Sequence, residues 1–209
     1  MKKNLIVDWH GTVNDGMDAF FFIIEYIFRK NRLEPIPPDQ IRQRFDIPYM
    51  GFWELYAPQM TKQQQDIWYR EGWEKAPEKK IYPGVRQELE QLKKDGANLF
   101  VLSSDYEETL IPEAEDYGIK ELFTDIHCGV HDKGIGLTAL VAKHALSHRE
   151  TVYIGDTAGD MRAARAAGVT PIGITWGIHP AEKLKAAGAY VTIDDFADLR
   201  QKVQFVTNP

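Results

Sequence analysis

The sequence predicts an α/β protein, a doubly wound parallel sheet with a smaller α-helical unit inserted behind the first strand. Three observations carry that expectation. From residue 81 to residue 209 short apolar runs alternate with helical patterns, an order that builds parallel strands joined by right-handed crossovers. One more apolar run, Leu5–Val7, stands near the front of the chain. Between them the character changes: residues 16–82 hold 14 of the chain's 24 aromatic side chains and show no strand alternation.

Taken in order, Leu5–Val7 is apolar throughout, as a strand covered on both faces must be. Phe20–Phe28, the stretch around Phe52–Tyr56 and Gln63–Trp73 predict three helices. Pro35, Pro37 and Pro38 separate the first from the second. Their aromatic rings are expected to fill the interior of a small bundle rather than to bind a cofactor. Val85, Leu89 and Leu92 fall at i, i+4 and i+7, the stripe of an amphipathic helix that Gly96 closes. Leu99–Leu102, Val152–Ile154, Ile172–Ile174 and Tyr190–Ile193 predict strands. Leu137–Leu146, Ala158–Ala167 (ended by Gly168) and Ala181–Ala187 predict helices. The expected boundaries are 1–15 with 81–209 for the α/β core, and 16–80 for the helical insertion.

Composition narrows the class. The 209 residues are 44% hydrophobic and 27% charged, the mix of a globular protein able to bury a core. Cys128 is the single cysteine, so no intrachain disulfide framework exists and a reducing, cytoplasmic setting is expected. The first residues have a run of only three apolar side chains before Asp8, too short for a signal peptide. The longest fully apolar run, Ala19–Ile24, is far short of the ~20 residues of a membrane span. The formal net charge of −6 argues against non-specific nucleic-acid binding. Residues 16–80 carry ten basic and ten acidic side chains, so the whole surplus belongs to the expected core. An acidic core that also takes up a phosphate needs a cation.

Four segments place reactive residue types at the carboxyl ends of expected strands, where ligands of parallel sheets bind. Leu5-Ile-Val-Asp8-Trp9-His10-Gly11-Thr12 runs an apolar strand into a carboxylate, which suits a nucleophile, a metal ligand or an ordinary turn. Leu99-Phe-Val-Leu102-Ser103-Ser104-Asp105 ends in hydroxyls that suit a phosphate oxygen or a helix cap equally. Lys133, before an expected helix, suits charge neutralisation, although most single lysines are solvated. The strongest segment is Val152-Tyr-Ile-Gly155-Asp156-Thr157-Ala-Gly-Asp160. Its two acids, four residues apart after a buried strand and a glycine turn, are spaced to converge on one Mg²⁺.

Together the four motifs, in this order, resemble the haloacid dehalogenase superfamily of phosphohydrolases, whose core is Rossmann-like. Ala163-Ala-Arg-Ala-Ala-Gly168, Ile174-Thr-Trp-Gly177 and Leu184-Lys-Ala-Ala-Gly188 look like its phosphoglycolate phosphatase branch, and residues 16–80 look like that branch's helical cap. The resemblance implies a Mg²⁺-dependent phosphatase acting on a small phosphorylated metabolite. Asp8 would be the nucleophile that forms an aspartyl-phosphate. Mg²⁺ would be held by Asp8, the backbone carbonyl of His10, Asp156 and, directly or through water, Asp160. Ser103, Ser104, Thr12 and Lys133 would face the phosphoryl group, with Lys133 offsetting charge at Asp8.

One position departs from that pattern. The superfamily's phosphatases have a second aspartate two residues after the nucleophile, as acid and base; here it is His10. Histidine, with an ordinary pKa near 6.5, can do such work. A slowed enzyme and a phosphoester-binding or regulatory module are the alternatives. Asp8-Trp9-x-Gly11-Thr12 is also similar to phosphonoacetaldehyde hydrolases, but the lysine such C–P cleavage needs is absent from Asn31 to Thr61. The dehalogenases that work without metal lack acids like Asp156 and Asp160. Ile47-Pro-Tyr-Met-Gly-Phe-Trp53 resembles the branch's specificity loop, with Asp46 where glycine is common. Arg42 and Arg44 are expected to be solvated surface charges rather than partners of a substrate carboxylate. His127, His131, His144, His148 and His179 show no metal-ligand spacing and are expected to be structural.

Overall fold

The structure, a computed structural model, describes residues 4–206; Met1–Lys3 and Thr207–Pro209, the outer ends of the expected core, lie outside the described residues. Six strands form one parallel sheet: β1 (Asn4–Val7), β4 (Asn98–Leu102), β5 (Asp125–His127), β6 (Thr151–Gly155), β7 (Thr170–Ile174) and β8 (Val191–Ile193). They lie in the order β5-β4-β1-β6-β7-β8. The chain therefore steps outward on one side of β1, then returns to pair β6 with its other edge. That reversal is a topological switch point. It puts the carboxyl ends of β1, β4 and β6 side by side, Val7 pairing with both Val101 and Ile154.

Alternation along each strand serves two apolar layers. Leu5 and Val7 pack with Leu99, Val101, Val152 and Ile154 under the helices α5 (Val85–Lys94), α6 (Glu107–Asp116) and α10 (Leu199–Val206). Ile6, Phe100, Leu102 and Tyr153 pack on the opposite face, under α7 (Lys133–Lys143) and α8 (Ala158–Ala166). This period of two explains why the central strands read as unbroken apolar runs. A third, smaller helix, α9 (Ala181–Ala186), buries Leu184 against Gly173 of β7.

Residues between the first strand and α5 form four helices: α1 (Met17–Lys30), α2 (Pro38–Arg44), α3 (Met50–Tyr56) and α4 (Lys62–Trp73). They enclose their own cluster, with Phe20, Ile23, Ile24, Ile27 and Phe28 of α1 packed against Phe52 and Trp53 of α3. Thr61 and Gln64 cap α4 reciprocally. The chain enters and leaves this segment through two short antiparallel strands, β2 (Asn14–Asp15) and β3 (Lys80–Ile81), so its two crossings run side by side.

Several expectations shift. Pro35, Pro37 and Pro38 do separate α1 from α3, but Pro38 also starts a helix that was not expected, occupying the first turn of α2, where its missing N–H costs nothing. The helix expected over Leu137–Leu146 begins at Lys133, because Asp132 caps it by accepting from the N–H of Ile135. It ends at Lys143, ahead of Ala145 with φ of 49°. α6 has no counterpart in the expectations, since Pro112 lies inside it. β5 is short, polar and at the sheet edge, which hid it from hydropathy. Among the described residues no helix is long and apolar enough to cross a membrane.

Candidate active site

The four motifs meet at the switch point. Asp8 follows β1, its N–H donating to Ile154 O at 2.8 Å. Lys133, the first residue of α7, reaches across the top of the sheet. Its Nζ donates to Asp8 Oδ2 at 2.6 Å and to Asp160 Oδ1 at 2.7 Å. All three side chains are buried. Carboxylate oxygens of Asp8, Asp156 and Asp160 lie within 4.8 Å of one another.

One ammonium does not balance three buried carboxylates, and the imbalance is visible in their proton affinities. Burial, together with the charges of Asp160 and Asp156, drives Asp8 well above the usual carboxylate range despite the pull of Lys133. Asp156 is pushed up to about 7 by burial and by the charge of Asp160. Burial would raise Asp160 as well, but Lys133 and the hydrogen bonds of Thr157 outweigh it and hold this carboxyl low. Lys133 stays charged, because Asp160 and Asp8 overcome the cost of its burial.

Asp156 sits in a cradle of glycines. Gly11, with φ of 75°, would place a Cβ 2.5 Å from Asp156 Oδ2, and a Cβ on Gly177 would collide with the same carboxylate. Asp156 Oδ2 accepts from the N–H of Ile178 at 2.8 Å. Asp160, by contrast, has both oxygens engaged. Oδ1 accepts from Lys133 and from the Tyr153 hydroxyl at 3.1 Å, while Oδ2 accepts from the Thr157 hydroxyl at 2.6 Å and its N–H at 3.0 Å. It caps α8 and orients Lys133. An all-oxygen donor set with a deficit of positive charge is what a hard divalent cation such as Mg²⁺ requires. Asp8 and Asp156 fit that role without rearrangement, whereas Asp160 would have to give up a bond to ligate directly.

Ser103 is buried at the end of β4 and accepts the Asp105 N–H at 3.1 Å; Ser104 donates to Val130 O at 2.8 Å. Both line a cavity of about 140 Å³ whose floor also holds Asp8, Lys133 and Asp156. Thr12 is a correction. It was expected to contact substrate, but it does not line the cavity and its hydroxyl is buried within the turn that Gly11 creates.

The His10 ring lies on the cavity wall between Phe20 and Trp73, at centroid distances of 6.2 and 5.7 Å. A Cβ at Gly16 would lie 2.9 Å from its Nδ1, so the first turn into the insertion must be glycine. Neither ring nitrogen completes a hydrogen bond, although both are buried. Burial lowers its pKa, more than Asp105 and Glu113 raise it, and favours the neutral imidazole.

Side chains from the insertion close the cavity, including Tyr49, from the segment that resembles the specificity loop, and Tyr69 and Asp66, which no motif marked. Arg42 is not a free surface charge: its guanidinium donates to the carbonyls of Gly177 and Ile178 and lies over the Phe21 ring. Arg44 donates to the Tyr56 hydroxyl at 2.6 Å. His179 is buried and bridges the two parts, accepting the Ala158 N–H at Nδ1 and donating from Nε2 to Phe45 O. His127 and His144 also gain a shared partner. Both lie against Asp125 Oδ2, at 3.0 and 2.6 Å, beside Lys143, in a network that ties β5 to the end of α7.

Comparison with known proteins matches residues 5–174 to the model of a family described as haloacid dehalogenase-like hydrolases. A phosphoglycolate phosphatase of Synechococcus elongatus is 30% identical over 129 residues, 61% of this chain and 61% of that protein. Matches to further phosphoglycolate phosphatases, including one from Haemophilus influenzae at 29% identity, cover a little over half of those proteins' own length, 56% in that case. Among solved structures, a predicted phosphatase from Clostridium acetobutylicum superposes with a TM-score of 0.86 at 20% identity, covering 98% of this chain and 99% of that one. A hydrolase from Pseudomonas syringae gives 0.82 at 20% identity, covering 99% and 100%. At that identity the likeness concerns the fold.

Proposed function

This chain belongs to the haloacid dehalogenase-like hydrolase family, and from that premise we propose that it is a Mg²⁺-dependent phosphatase of small phosphorylated metabolites. The observation that carries the reading is the buried Asp8–Lys133 pair at the cavity floor, with Ser103 and Asp156 beside it. The names of the matched phosphoglycolate phosphatases agree with this activity. The helices of residues 16–80 act as a cap domain over a core made of residues 1–15 and 81–209.

Asp8 attacks phosphorus while the substrate's ester oxygen departs, giving an aspartyl-phosphate and an alcohol. Water then attacks the phosphorus of that intermediate, returning the Asp8 carboxylate and releasing phosphate. Lys133 holds Asp8 in line and offsets its charge, and Ser103 and Ser104 face the transferred group. His10, with both ring nitrogens uncommitted, gives a proton to the departing oxygen from the imidazolium form that a bound phosphoester's negative charge favours, and as neutral imidazole then takes one from the water. Asp8, Asp156 and the His10 carbonyl would hold Mg²⁺, with Asp160 acting through water or by orienting Lys133. The ion supplies charge stabilisation for the phosphoryl oxygens. The cap excludes water while the site is closed.

Phosphate release from a panel of phosphoesters, with and without Mg²⁺, tests this reading against an Asp8→Asn control. Metal-dependent release lost in the control supports it. Binding of metal and phosphate analogue with no release from any ester would favour a binding module instead.

A further inference from the structure

Above the floor, the cavity is largely apolar and aromatic. Phe20, Phe45, Tyr49, Trp53 and Tyr69 contribute to its wall, and among the described residues no arginine lines it. Lys133 is the one lysine present, and its ammonium is already shared between Asp8 and Asp160. The insertion's nearby arginines are committed elsewhere, Arg42 to the carbonyls of Gly177 and Ile178 and Arg44 to Tyr56. Beyond the floor the carboxylates on the lining are Asp66 and Asp105, and the imidazoles are those of His10 and His131, the latter against the Tyr49 ring. Asp66 already bonds Tyr49 and Lys62, whereas Asp105 Oδ2 is buried without a partner.

We infer that the site selects phosphoesters whose alcohol portion is small, apolar and uncharged, and rejects those that carry a second anion such as a carboxylate. A carboxylate placed against these rings loses its water, finds no lysine or arginine free to pair with it, and meets the carboxylate of Asp105. An alkyl or aryl group placed there exchanges water for aromatic surface. The volume sets the scale. About 140 Å³, floor included, is close to the ~150 Å³ that accommodates one benzene ring in another protein, so phosphoryl group and alcohol portion together must be small. The inference rests on the phosphatase reading for its chemistry, and it separates this chain from the phosphoglycolate phosphatases it resembles, whose named substrate has a carboxylate.

The test uses three esters of similar size, propyl phosphate, phosphoglycolate and 2-aminoethyl phosphate, with benzyl phosphate as the aromatic probe. Turnover is measured on the wild-type chain with Mg²⁺, and affinity by calorimetry on Asp8→Asn. Propyl and benzyl phosphate are expected to exceed phosphoglycolate at least tenfold in kcat/KM, with the same ranking in affinity. Gln65→Lys, which brings a cation to the cavity lining, is expected to narrow that ratio at least tenfold. Phosphoglycolate or 2-aminoethyl phosphate matching propyl phosphate would overturn the inference, as would the absence of binding by every ester. Absence of turnover with the affinity ranking intact would instead count against the phosphatase reading alone.

Discussion

Asp46 of the insertion accepts the backbone N–H of Gly159, 2.9 Å away, and so seats the insertion on the first turn of α8. The same carboxylate takes the Arg162 guanidinium at 2.9 Å, and Ile47 lies so close to Gly159 that a Cβ there would collide with it. The contact joins the cavity's roof to the helix that follows Asp156.

Removing that contact should loosen the roof without unfolding either part. A hydrogen bond to a charged group contributes about 1.5–3 kcal/mol, so Asp46→Ala should lower kcat/KM about tenfold. Hydrogen exchange should rise at residues 42–49 while the melting temperature moves little. An unchanged kcat/KM would mean that the latch does not govern closure.

Lys133→Met should be strongly destabilising, because it leaves Asp8 and Asp160 buried without their shared cation. Breaking a buried pair in this way costs about 3–5 kcal/mol, readable by urea denaturation at neutral pH. Mg²⁺ should restore part of the loss. A variant as stable as wild type would show that the acids are neutral or solvated.

At His10 stability and activity should part. Its ring nitrogens are buried and make no hydrogen bond, so the imidazole is a poor choice for packing against Phe20 and Trp73. His10→Leu should leave stability within about 0.5 kcal/mol of wild type or raise it, while turnover falls about 100-fold, as general acid–base catalysis predicts. Equal turnover in the two proteins would remove His10 from the chemistry.

Asp125 should make the fold sensitive to acid. Hydrogen bonds from Lys143, His144 and His127 outweigh the effect of its burial and hold its pKa below the ordinary 3.8. A folded pKa below the unfolded one adds stability above pH ~4, and that stability is lost as pH falls further. Asp125→Asn should therefore be less stable than wild type at pH 7, with the gap closing below pH ~4. A gap independent of pH would point to lost packing instead.

Much of this was legible in the chain. Leu5–Val7 and Val152–Ile154 are continuous apolar runs because central parallel strands are covered on both faces, and each ends in an acid because a strand's carboxyl end opens onto solvent or ligand. α6 and β5 escaped because Pro112 and the polar edge residues Asp125 and His127 obscure their periodicity. Thr12 looked equivalent to its neighbours in the motif until the turn at Gly11 took its hydroxyl away from the cavity.

The sequence by itself determined the class of fold and, through the resemblance its four ordered motifs carry, the family and the candidate reactive set of Asp8, Ser103, Lys133, Asp156 and Asp160. These are properties of local pattern: period, turn residue and charge along a few consecutive positions. Only the tertiary structure decided that Asp160 is shared with Lys133, that Asp46 latches the insertion to α8, and that Arg42 is held by the carbonyls of Gly177 and Ile178 rather than lining the cavity. These groups lie 27, 113 and up to 136 residues apart in the chain, Arg42 and Ile178 being the widest of the pairs. No local pattern specifies such a meeting, because it is set by how the insertion packs onto the sheet.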